Sequence, residues 1–405
     1  MSQNSPQNIV IIGGGLAGAS AAAELRDQGY DGAIVLVGAE PHAPYERPPL
    51  SKDILLGSAT AADAAVKDAE WYEQQRVELI TGTEVTGLDT GARTITVDGR
   101  AITYDQLLVA TGATSRHLPM VDASGAPFAY LRTIEESEAL RKNLSGRMLV
   151  IGAGWIGLEV ASAARQAGGT VTVVEAAAKP LAGPMGEEMS DVFVGLHREH
   201  GVDLRTSTTV ESIEHGSEGG ARASLSDGTE VVADIVLVAI GAVPETALAQ
   251  AAGLEVDDGV LVDARLRTSD PHVFAAGDVA NHDHPTLGRV RIEHWDTAIQ
   301  QGRHAARSML GSEEAYTRQP YFFTDQYDLG MEYVGHVGPD GFDEVVIRGD
   351  RGSRVLNALW IKDGVVVAGM HTNDWDATDS LRAWLGRSAN EKTRDTSISL
   401  ADSLG

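Results

Sequence analysis

The sequence predicts an α/β protein with two Rossmann-like nucleotide-binding domains, each with a β-hairpin insert, and a smaller C-terminal α/β domain. Three observations favour this fold class. A strand, a glycine-rich turn and a helix occur twice, a hairpin pattern follows each time, and an aromatic, alternating pattern begins after Gln300. The 405 residues are enough for about two to four domains, each with its own core.

The first unit starts close to the N-terminus. Residues 9–12 are an apolar strand pattern, the motif Gly13-Gly14-Gly15-Leu16-Ala17-Gly18 follows, and an alanine-rich helix pattern runs to Arg26. The β-branched run 33–37 completes a βαβ unit of about 30 residues. In this context the glycines predict a turn whose backbone N–H groups approach a pyrophosphate at the helix N-terminus.

The second unit repeats this order. Residues 148–151 precede Gly152-Ala153-Gly154-Trp155-Ile156-Gly157, an alanine-rich helix pattern runs to Gly168, and residues 170–174 form the next strand pattern. A single motif of this kind is also typical of an ordinary tight turn between a strand and a helix. Two copies, each inside a complete βαβ unit, favour two dinucleotide sites.

Each unit also contains a hairpin pattern. Residues 94–97 and 101–104 flank the turn Asp98-Gly99, and residues 223–225 and 230–232 flank Asp227-Gly228. An apolar strand follows each hairpin, at 106–110 and at 234–240. We therefore predict a first nucleotide-binding domain over 1–112 and 234–315, a second over 113–233, and a C-terminal α/β domain over 316–388.

The C-terminal stretch 389–405 is mostly polar and has no sustained apolar period. It predicts a mobile polar tail, with a short amphipathic turn near Leu400 as the alternative.

Composition excludes several classes of protein. The absence of cysteine excludes disulfides, an iron–sulfur cluster held by the chain itself and a redox-active dithiol. The net charge of −26 opposes binding to nucleic acid or anionic membranes. Residues 1–8 are polar and uncharged, unlike a signal peptide, and no apolar run is long enough to span a membrane, so we expect a cytoplasmic protein.

No metal site is expected. His282, Asp283 and His284 lie in a proline-flanked stretch without a third spaced ligand, which is typical of a solvated turn. Serine, histidine and aspartate are present, but no Gly-x-Ser-x-Gly motif indicates a hydrolase.

Each dinucleotide site needs an acid at the end of its second strand to accept hydrogen bonds from ribose hydroxyls. In the second unit Glu175 follows the strand directly, and in the first Glu40 comes slightly late, after Ala39. An exposed acid without a ligand is the alternative for Glu40.

Two dinucleotides in one chain suggest FAD and a nicotinamide, because a nicotinamide passes a hydride to a flavin without protein thiols. Two further segments place small residues where a strand end meets a cofactor. They are Ala110-Thr111-Gly112, and Ala276-Gly277-Asp278, in which Asp278 can bind polyol hydroxyls. A plain turn is the alternative for Gly277-Asp278.

The combination of motifs resembles a known family. Arg47-Pro48-Pro49-Leu50-Ser51-Lys52, the two glycine motifs, Ala276-Gly277-Asp278 and Glu293-His294-Trp295 are similar to the oxygenase-coupled NADH-ferredoxin reductases. That group also includes rubredoxin reductases and apoptosis-inducing-factor-like proteins. The resemblance covers most of residues 8–385 and implies FAD on the first unit, NADH on the second and a C-terminal domain that covers the flavin.

The resemblance also implies roles for individual residues. Lys52 and Glu159 are expected to be the catalytic pair, with Lys52 beside the reactive edge of the flavin. The expected cofactor-binding residues are Gly13, Gly15, Leu16, Ala17, Gly18, Glu40, Arg47, Lys52, Val85, Ala110, Thr111, Gly112, Arg132, Gly277, Asp278, Glu293, His294 and Trp295 toward FAD, and Gly152, Gly154, Trp155, Ile156, Gly157, Glu159, Glu175 and Gly241 toward NADH. The chain differs from many relatives at Phe323, where they have tryptophan.

The function implied is that of an FAD-dependent NADH:ferredoxin oxidoreductase. Hydride passes from NADH to FAD, and single electrons then pass to a [2Fe–2S] ferredoxin that feeds an oxygenase. The alternatives are a redox-gated NADH-binding protein with slow oxidase activity, similar to apoptosis-inducing factor, and an NADH:rubredoxin reductase. An acidic ferredoxin needs a local basic patch, which we predict at Arg289, Arg291, Arg303 and Arg307.

Overall fold

The computed structural model describes residues 6–217, 219–338 and 340–404. The first five residues of the polar segment 1–8, in which no signal peptide is expected, lie outside the described residues. The strands in chain order are β1 (Asn8–Ile12), β2 (Ala33–Val37), β3 (Val77–Ile80), β4 (Val85–Asp89), β5 (Thr94–Val97), β6 (Arg100–Thr103), β7 (Gln106–Val109), β8 (Ala113–Ser115), β9 (Phe128–Ala129), β10 (Arg147–Ile151), β11 (Thr170–Val174), β12 (Asp203–Arg205), β13 (Val210–His215), β14 (Ala221–Leu225), β15 (Glu230–Ala233), β16 (Ile235–Val238), β17 (Ala242–Pro244), β18 (Val260–Val262), β19 (Val273–Ala275), β20 (Ala280–His284), β21 (Gly288–Val290), β22 (Tyr321–Gln326), β23 (Leu329–Gly335), β24 (Glu344–Asp350), β25 (Val355–Lys362) and β26 (Val365–Thr372).

The helices range from single turns to a long helix with an internal kink at Gly186. In chain order they are α1 (Leu16–Asp27), α2 (Asp53–Leu56), α3 (Ala69–Gln74), α4 (Pro119–Asp122), α5 (Ile134–Arg141), α6 (Trp155–Gln166), α7 (Ala182–Glu199), α8 (Ala247–Ala251), α9 (Trp295–Met309), α10 (Thr378–Trp384) and α11 (Glu391–Arg394), with 3₁₀ turns at Pro48–Ser51 and Asp402–Leu404. Within the described ranges, no helix is both long enough and apolar enough to cross a membrane.

The chain forms two compact units. The first comprises the residues up to Arg47, Ala61–Thr114 and Val243–Pro320. Its central sheet has the order β19-β7-β1-β2-β3 and is parallel throughout. Residues 9–12 of β1 are apolar and buried on both faces, as expected for a parallel sheet covered by helices. This arrangement confirms the first Rossmann-like domain.

The second unit comprises Pro48–Thr60, Ser115–Ala242 and the chain from Tyr321 onward. Its parallel sheet has the order β12-β11-β10-β16-β9 and confirms the second Rossmann-like domain. Strand β16 pairs with β10 in this sheet, so residues 234–242 do not belong to the first domain. The predicted boundary after residue 233, which placed them there, is therefore not where the first domain resumes. After the hairpin the chain returns to the parallel sheet that it left, because β16 completes the hydrogen bonding of β10.

Each predicted hairpin insert is a three-stranded antiparallel sheet. In the first unit β4 joins the hairpin β5-β6, and in the second unit β13 joins β14-β15. The turns Asp98-Gly99 and Asp227-Gly228 lie where the sequence predicts them. The internal duplication therefore includes the inserts.

The C-terminal part is built on an antiparallel sheet of order β22-β23-β26-β25-β24. The interpretation of 389–405 as a mobile tail is wrong, and the alternative of a turn near Leu400 is confirmed. Leu400 is 8% exposed within a cluster that also contains Trp384, and Trp384 Nε1 donates to Ser403 Oγ. A few buried side chains hold this segment, although its composition is polar.

His282 and His284 lie on strand β20, and the interpretation of a solvated turn is wrong. Both residues are buried, at 1% and 3% exposure, and both rings lie against Tyr316, whose ring also contacts His304. Among the described residues, no group of three or more potential ligands is arranged to hold a metal ion. Burial, together with the nearby His284 and His304, lowers the pKa of His282 to about 3.

This burial predicts that stability falls on acidification. The unfolded chain binds a proton at His282 below its ordinary pKa near 6.5, whereas the folded chain does not until about 3, so stability is lost as pH falls below 6.5. At pH 5 the loss from this residue is about 2 kcal/mol. We expect His282→Leu to reduce the difference in free energy of unfolding between pH 7 and pH 5. Equal differences in the two proteins would contradict this cause.

Candidate functional site: two glycine turns and a buried ion pair

The first glycine turn joins β1 to α1. Gly13 has a φ of +121°, and a Cβ there would approach Ala110 O to 2.0 Å, so only glycine fits. A Cβ on Gly18 would meet Gly13 O at 2.2 Å, which fixes the close start of the helix. At Gly15 a Cβ would meet nothing within 4 Å. The turn therefore packs tightly against the protein backbone at Gly13 and Gly18 and leaves space at Gly15.

The second glycine turn has the same geometry within the second unit. Gly152 has a φ of +100°, and a Cβ there would approach Ala239 O to 2.4 Å. A Cβ on Gly157 would meet Gly152 O at 2.2 Å, and at Gly154 it would meet nothing within 4 Å. The two turns thus leave the same position open, which is where a pyrophosphate approaches the backbone.

Helices α1 and α6 begin at these open positions. Their N-caps, Gly15 and Gly154, contribute no side-chain hydrogen bond, and neither helix has an acid in its first turn. The positive end of each helix dipole is therefore not neutralised by the helix itself. These two cradles fit the pyrophosphates of two dinucleotides.

Glu175 directly follows β11 and is held beside the second turn. Its Oε2 accepts a hydrogen bond from Ala153 N at 2.8 Å, and its Oε1 accepts one from Ala177 N at 2.8 Å. Two backbone donors fix the carboxylate, and lone pairs remain on both oxygens. This is the geometry required of a ribose-binding acid.

Glu40 is engaged by neighbours within the first unit. Its Oε2 accepts from Tyr45 OH at 2.5 Å, and its Oε1 accepts from Arg47 Nη2 at 2.8 Å. Desolvation lowers the pKa of Arg47, but Tyr45, Glu40 and Asp278 outweigh it and raise the pKa above its ordinary value. The structure therefore brings together three predicted residues, Glu40, Arg47 and Asp278.

The other residues predicted toward FAD in the first unit lie on several elements. Leu16 and Ala17 begin α1, Val85 begins β4, and Trp295 begins α9 after its N-cap His294. Glu293 pairs with Arg291. The remaining predicted segments follow β7 and β19, namely Ala110, Thr111, Gly112, Gly277 and Asp278.

Helix α9 approaches α1 closely in this unit. A Cβ on Gly302 would meet Ala17 O at 2.2 Å, and Gly277 N donates to Gln301 Oε1 at 2.9 Å. Gly302 and Gln301 thus fix the helix start that carries the first turn, and no motif in the sequence indicates either residue.

Lys52 and Glu159, the predicted catalytic pair, form an ion pair within the second unit. Lys52 Nζ lies 2.8 Å from Glu159 Oε1, and the side chains are 17% and 7% exposed. Two hydroxyl groups that sequence reasoning missed also donate to the carboxylate. Ser51 Oγ donates to Oε2 at 2.5 Å, and Thr324 Oγ1 donates to Oε1 at 2.5 Å. Three donors therefore hold one carboxylate.

Phe323, where many relatives have tryptophan, lies next to this pair. Lys52 Nζ is 5.4 Å from the centroid of the Phe323 ring, within the range of a cation–π interaction. An aromatic face is thus retained at this position.

The remaining predicted residues of the second unit are dispersed. Trp155 packs its ring against Phe193 and Phe322, whereas Ile156 is 43% exposed. Arg132 precedes α5 and donates its backbone N–H to Glu136 Oε2. Gly241 has a φ of +101°, and its carbonyl accepts from Arg116 N.

The four arginines predicted as a basic patch do not form an open positive surface. Arg291 pairs with Glu293 and Asp258 and is 12% exposed, and Arg307 pairs with Glu24 at 2.8 Å. Arg289 and Arg303 are both exposed, and Arg289 lies 4.0 Å from Asp283. Carboxylates pair with three of the four arginines, so the prediction of one basic patch made by all four is wrong.

Two parallel-sheet units with matching dinucleotide cradles, and no cysteine, define a class of oxidoreductases that bind two dinucleotides. Residues 7–302 match the family described as pyridine nucleotide-disulphide oxidoreductase, and residues 321–404 match the reductase C-terminal family. The chain belongs to the pyridine nucleotide-disulphide oxidoreductases and, within them, to the oxygenase-coupled NAD-linked ferredoxin reductases. This confirms the resemblance seen in the motifs.

Two relatives and one solved structure illustrate the similarity. The ferredoxin--NAD(+) reductase component of the anthranilate 1,2-dioxygenase system of Burkholderia cepacia is 41% identical, with 91% of each chain covered. Putidaredoxin reductase of Pseudomonas putida is 38% identical, with 90% of this chain and 88% of that protein covered. The crystal structure of a covalent putidaredoxin reductase–putidaredoxin complex matches with a TM-score of 0.93 and 36% identity over 99% of both chains.

Proposed function

We propose that the protein is an FAD-dependent NADH:ferredoxin oxidoreductase that supplies electrons to an oxygenase. The observation that carries this proposal is the pair of open glycine turns, at Gly15 and Gly154, in a chain without cysteine. Glutathione, lipoamide and thioredoxin reductases share the two-unit plan but need a dithiol, which this chain cannot form. The names of its relatives, which are reductases of ferredoxins, agree with this function.

The two cofactors are assigned to separate units. We assign FAD to the turn at Gly13–Gly18, with Arg47, Glu40 and Asp278 nearby, and NADH to the turn at Gly152–Gly157 with Glu175. FAD held at the first turn would supply the chemistry that links a nicotinamide, which gives two electrons together, to an acceptor that takes one at a time.

The chain's own residues bind and orient these groups. The two helix N-termini stabilise pyrophosphate charge, and Glu175 accepts hydrogen bonds from ribose hydroxyls. Lys52, held by Glu159, supplies a positive charge that stabilises negative charge arriving with the hydride. This role for Lys52 and Glu159 rests on their geometry and on the resemblance.

The partner proposed is a [2Fe–2S] ferredoxin, with rubredoxin as the alternative acceptor. One solved relative, putidaredoxin reductase, was crystallised in a covalent complex with putidaredoxin. We also propose a cytoplasmic location, where NADH is available.

Steady-state oxidation of NADH tests the function. We expect purified, FAD-loaded protein to turn over at least ten times faster with a [2Fe–2S] ferredoxin than with oxygen alone, because the flavin must pass single electrons to a suitable carrier. Ferricyanide serves as the control for flavin reduction, and rubredoxin is assayed in parallel.

Two outcomes would redirect the proposal. Rapid turnover with ferricyanide, but none with the [2Fe–2S] ferredoxin or with rubredoxin, would favour a redox-gated NADH-binding protein. Turnover with rubredoxin alone would favour the rubredoxin reductase.

A further inference from the structure

A buried chain of hydrogen bonds leads from His197 to Glu159 within the second unit. His197 Nε2 and Gln326 Oε1 are 2.8 Å apart, Gln326 Nε2 donates to Thr324 Oγ1 at 3.2 Å, and Thr324 Oγ1 donates to Glu159 Oε1 at 2.5 Å. His197 and Gln326 are fully buried and Thr324 is 1% exposed. Three elements, α7, β22 and α6, contribute the four side chains.

This chain of hydrogen bonds has a direction, which is determined by the acceptor at its Glu159 end. Glu159 is a carboxylate paired with Lys52 and can only accept, so the Thr324 hydroxyl proton must point to it. That hydroxyl oxygen must then accept from the amide nitrogen of Gln326. The amide oxygen therefore faces His197, whose Nε2 must carry the proton.

The opposite direction has two costs. If the Gln326 amide is reversed, its oxygen faces Thr324 and competes with Glu159 for the Thr324 hydroxyl proton. When Gln326 takes that proton, Thr324 Oγ1 and Glu159 Oε1 face each other as two acceptors without a proton between them. His197 then carries its proton on Nδ1, which is buried and has no hydrogen-bond partner among the described residues. A buried N–H without an acceptor is costly, and the first direction avoids this cost because the ring proton lies on Nε2, beside Gln326 Oε1.

We propose that His197 and Gln326 act as positioning residues that fix the Thr324 hydroxyl as a donor to Glu159, and that this relay holds Glu159 in position to orient Lys52. The inference rests on the role proposed above for Lys52 and Glu159. The relay needs a neutral ring at His197, and burial lowers the pKa of His197 to about 4, so the ring stays neutral near pH 7.

The relay passes through the residue next to Phe323. Thr324 lies on β22 between Phe323, whose ring faces Lys52, and the exposed Asp325. The strand thus presents its hydroxyl to the carboxylate of the same ion pair that its neighbouring ring contacts.

The kinetic test compares three threonine variants by rapid mixing with NADH. Thr324→Val removes the hydroxyl at nearly constant shape, and we expect flavin reduction to slow about tenfold. Thr324→Ser should restore the rate to within about threefold of wild type. Thr372→Val is the matched control, because Thr372 is a fully buried β-strand threonine whose hydroxyl donates to Arg354 O, away from Glu159.

A double-mutant cycle separates positioning from packing. In a Glu159→Ala background, Thr324→Val should cause no further slowing, because the acceptor of its hydrogen bond is gone. A tenfold loss that persists in that background, or that Thr372→Val also causes, would overturn the positioning role. If Glu159→Ala itself does not slow flavin reduction, the role proposed for the ion pair fails instead.

The direction of the relay has a test that does not depend on activity. Nitrogen-15 NMR of the histidine rings in the FAD-loaded protein distinguishes the two neutral tautomers, and His197→Phe assigns the His197 signals by their loss. We expect the Nε2–H tautomer at pH 7. The Nδ1–H tautomer, or a protonated ring at that pH, would overturn the relay whatever the kinetic results.

Discussion

Lys52→Ala is expected to slow the reduction of bound flavin by NADH about 100-fold, which is the scale of removing one electrostatic stabiliser from an active site. Glu159→Ala is expected to slow the same step by a similar factor. Lys52 Nζ and Glu159 Oε1 are 2.8 Å apart, and both side chains are largely buried, so water cannot replace the missing partner fully. The measurement is the rate of flavin bleaching under excess NADH in a stopped-flow instrument.

Because the two charges act as a unit, the double variant should be no slower than the slower single variant. Lys362→Ala is the matched control, since Lys362 forms an ion pair with Asp343 at 3.1 Å on the surface of the same unit. Flavin content and the free energy of unfolding are measured for every variant. Losses that multiply in the double variant would show that the pair does not act together.

Much of the fold could be predicted because its signals are local. An apolar run, a glycine with positive φ and an alanine-rich helix lie within about 30 residues of one another, so both βαβ units were evident. The correct domain boundary near residue 233 could not be predicted from local signals. It depends on the pairing of β16 with β10, which lies far earlier in the chain. Composition likewise concealed the packed C-terminus, where Leu400 and Ser403 are buried in an otherwise polar segment.

The site was predicted only where a motif marked it. Lys52 and Glu159 are 107 residues apart, and their pairing came from the resemblance. Thr324 is 165 residues from Glu159, and a threonine in a strand carries no signal of the carboxylate that its hydroxyl faces. The predicted basic patch failed for a related reason, because helical spacing does not reveal that Glu24 approaches Arg307.

A preference for NADH over NADPH of at least tenfold in kcat/KM is the second large effect expected. Two backbone N–H groups hold the Glu175 carboxylate at the end of β11, where we propose that it accepts hydrogen bonds from the adenine ribose. NADPH replaces one hydroxyl with a phosphate of about −1.5 to −2 charge, which the carboxylate repels. A tenfold preference corresponds to about 1.4 kcal/mol, which repulsion and a lost hydrogen bond together supply.

Two cationic side chains that could offset this repulsion, Lys179 and Arg205, already form ion pairs with carboxylates. Lys179, which follows Glu175 after three alanines, pairs with Asp191 at 2.9 Å and Glu187 at 3.3 Å, and these hydrogen bonds raise its pKa. Arg205, which ends the neighbouring strand β12, pairs with Asp203 at 2.8 Å. Neither side chain reaches a ribose phosphate without giving up a carboxylate partner.

Initial rates with both coenzymes, measured with ferricyanide as acceptor, test this preference. Glu175→Ala should lower the ratio of the two kcat/KM values toward one, since it removes both the hydrogen-bond acceptor of NADH and the charge that repels NADPH. Glu211→Ala, which removes an exposed carboxylate on β13 of the same unit, should leave the ratio unchanged. Equal or greater kcat/KM with NADPH for the unaltered protein would mean that Glu175 does not bind the ribose, and that Lys179 leaves Asp191 and Glu187 to bind the phosphate.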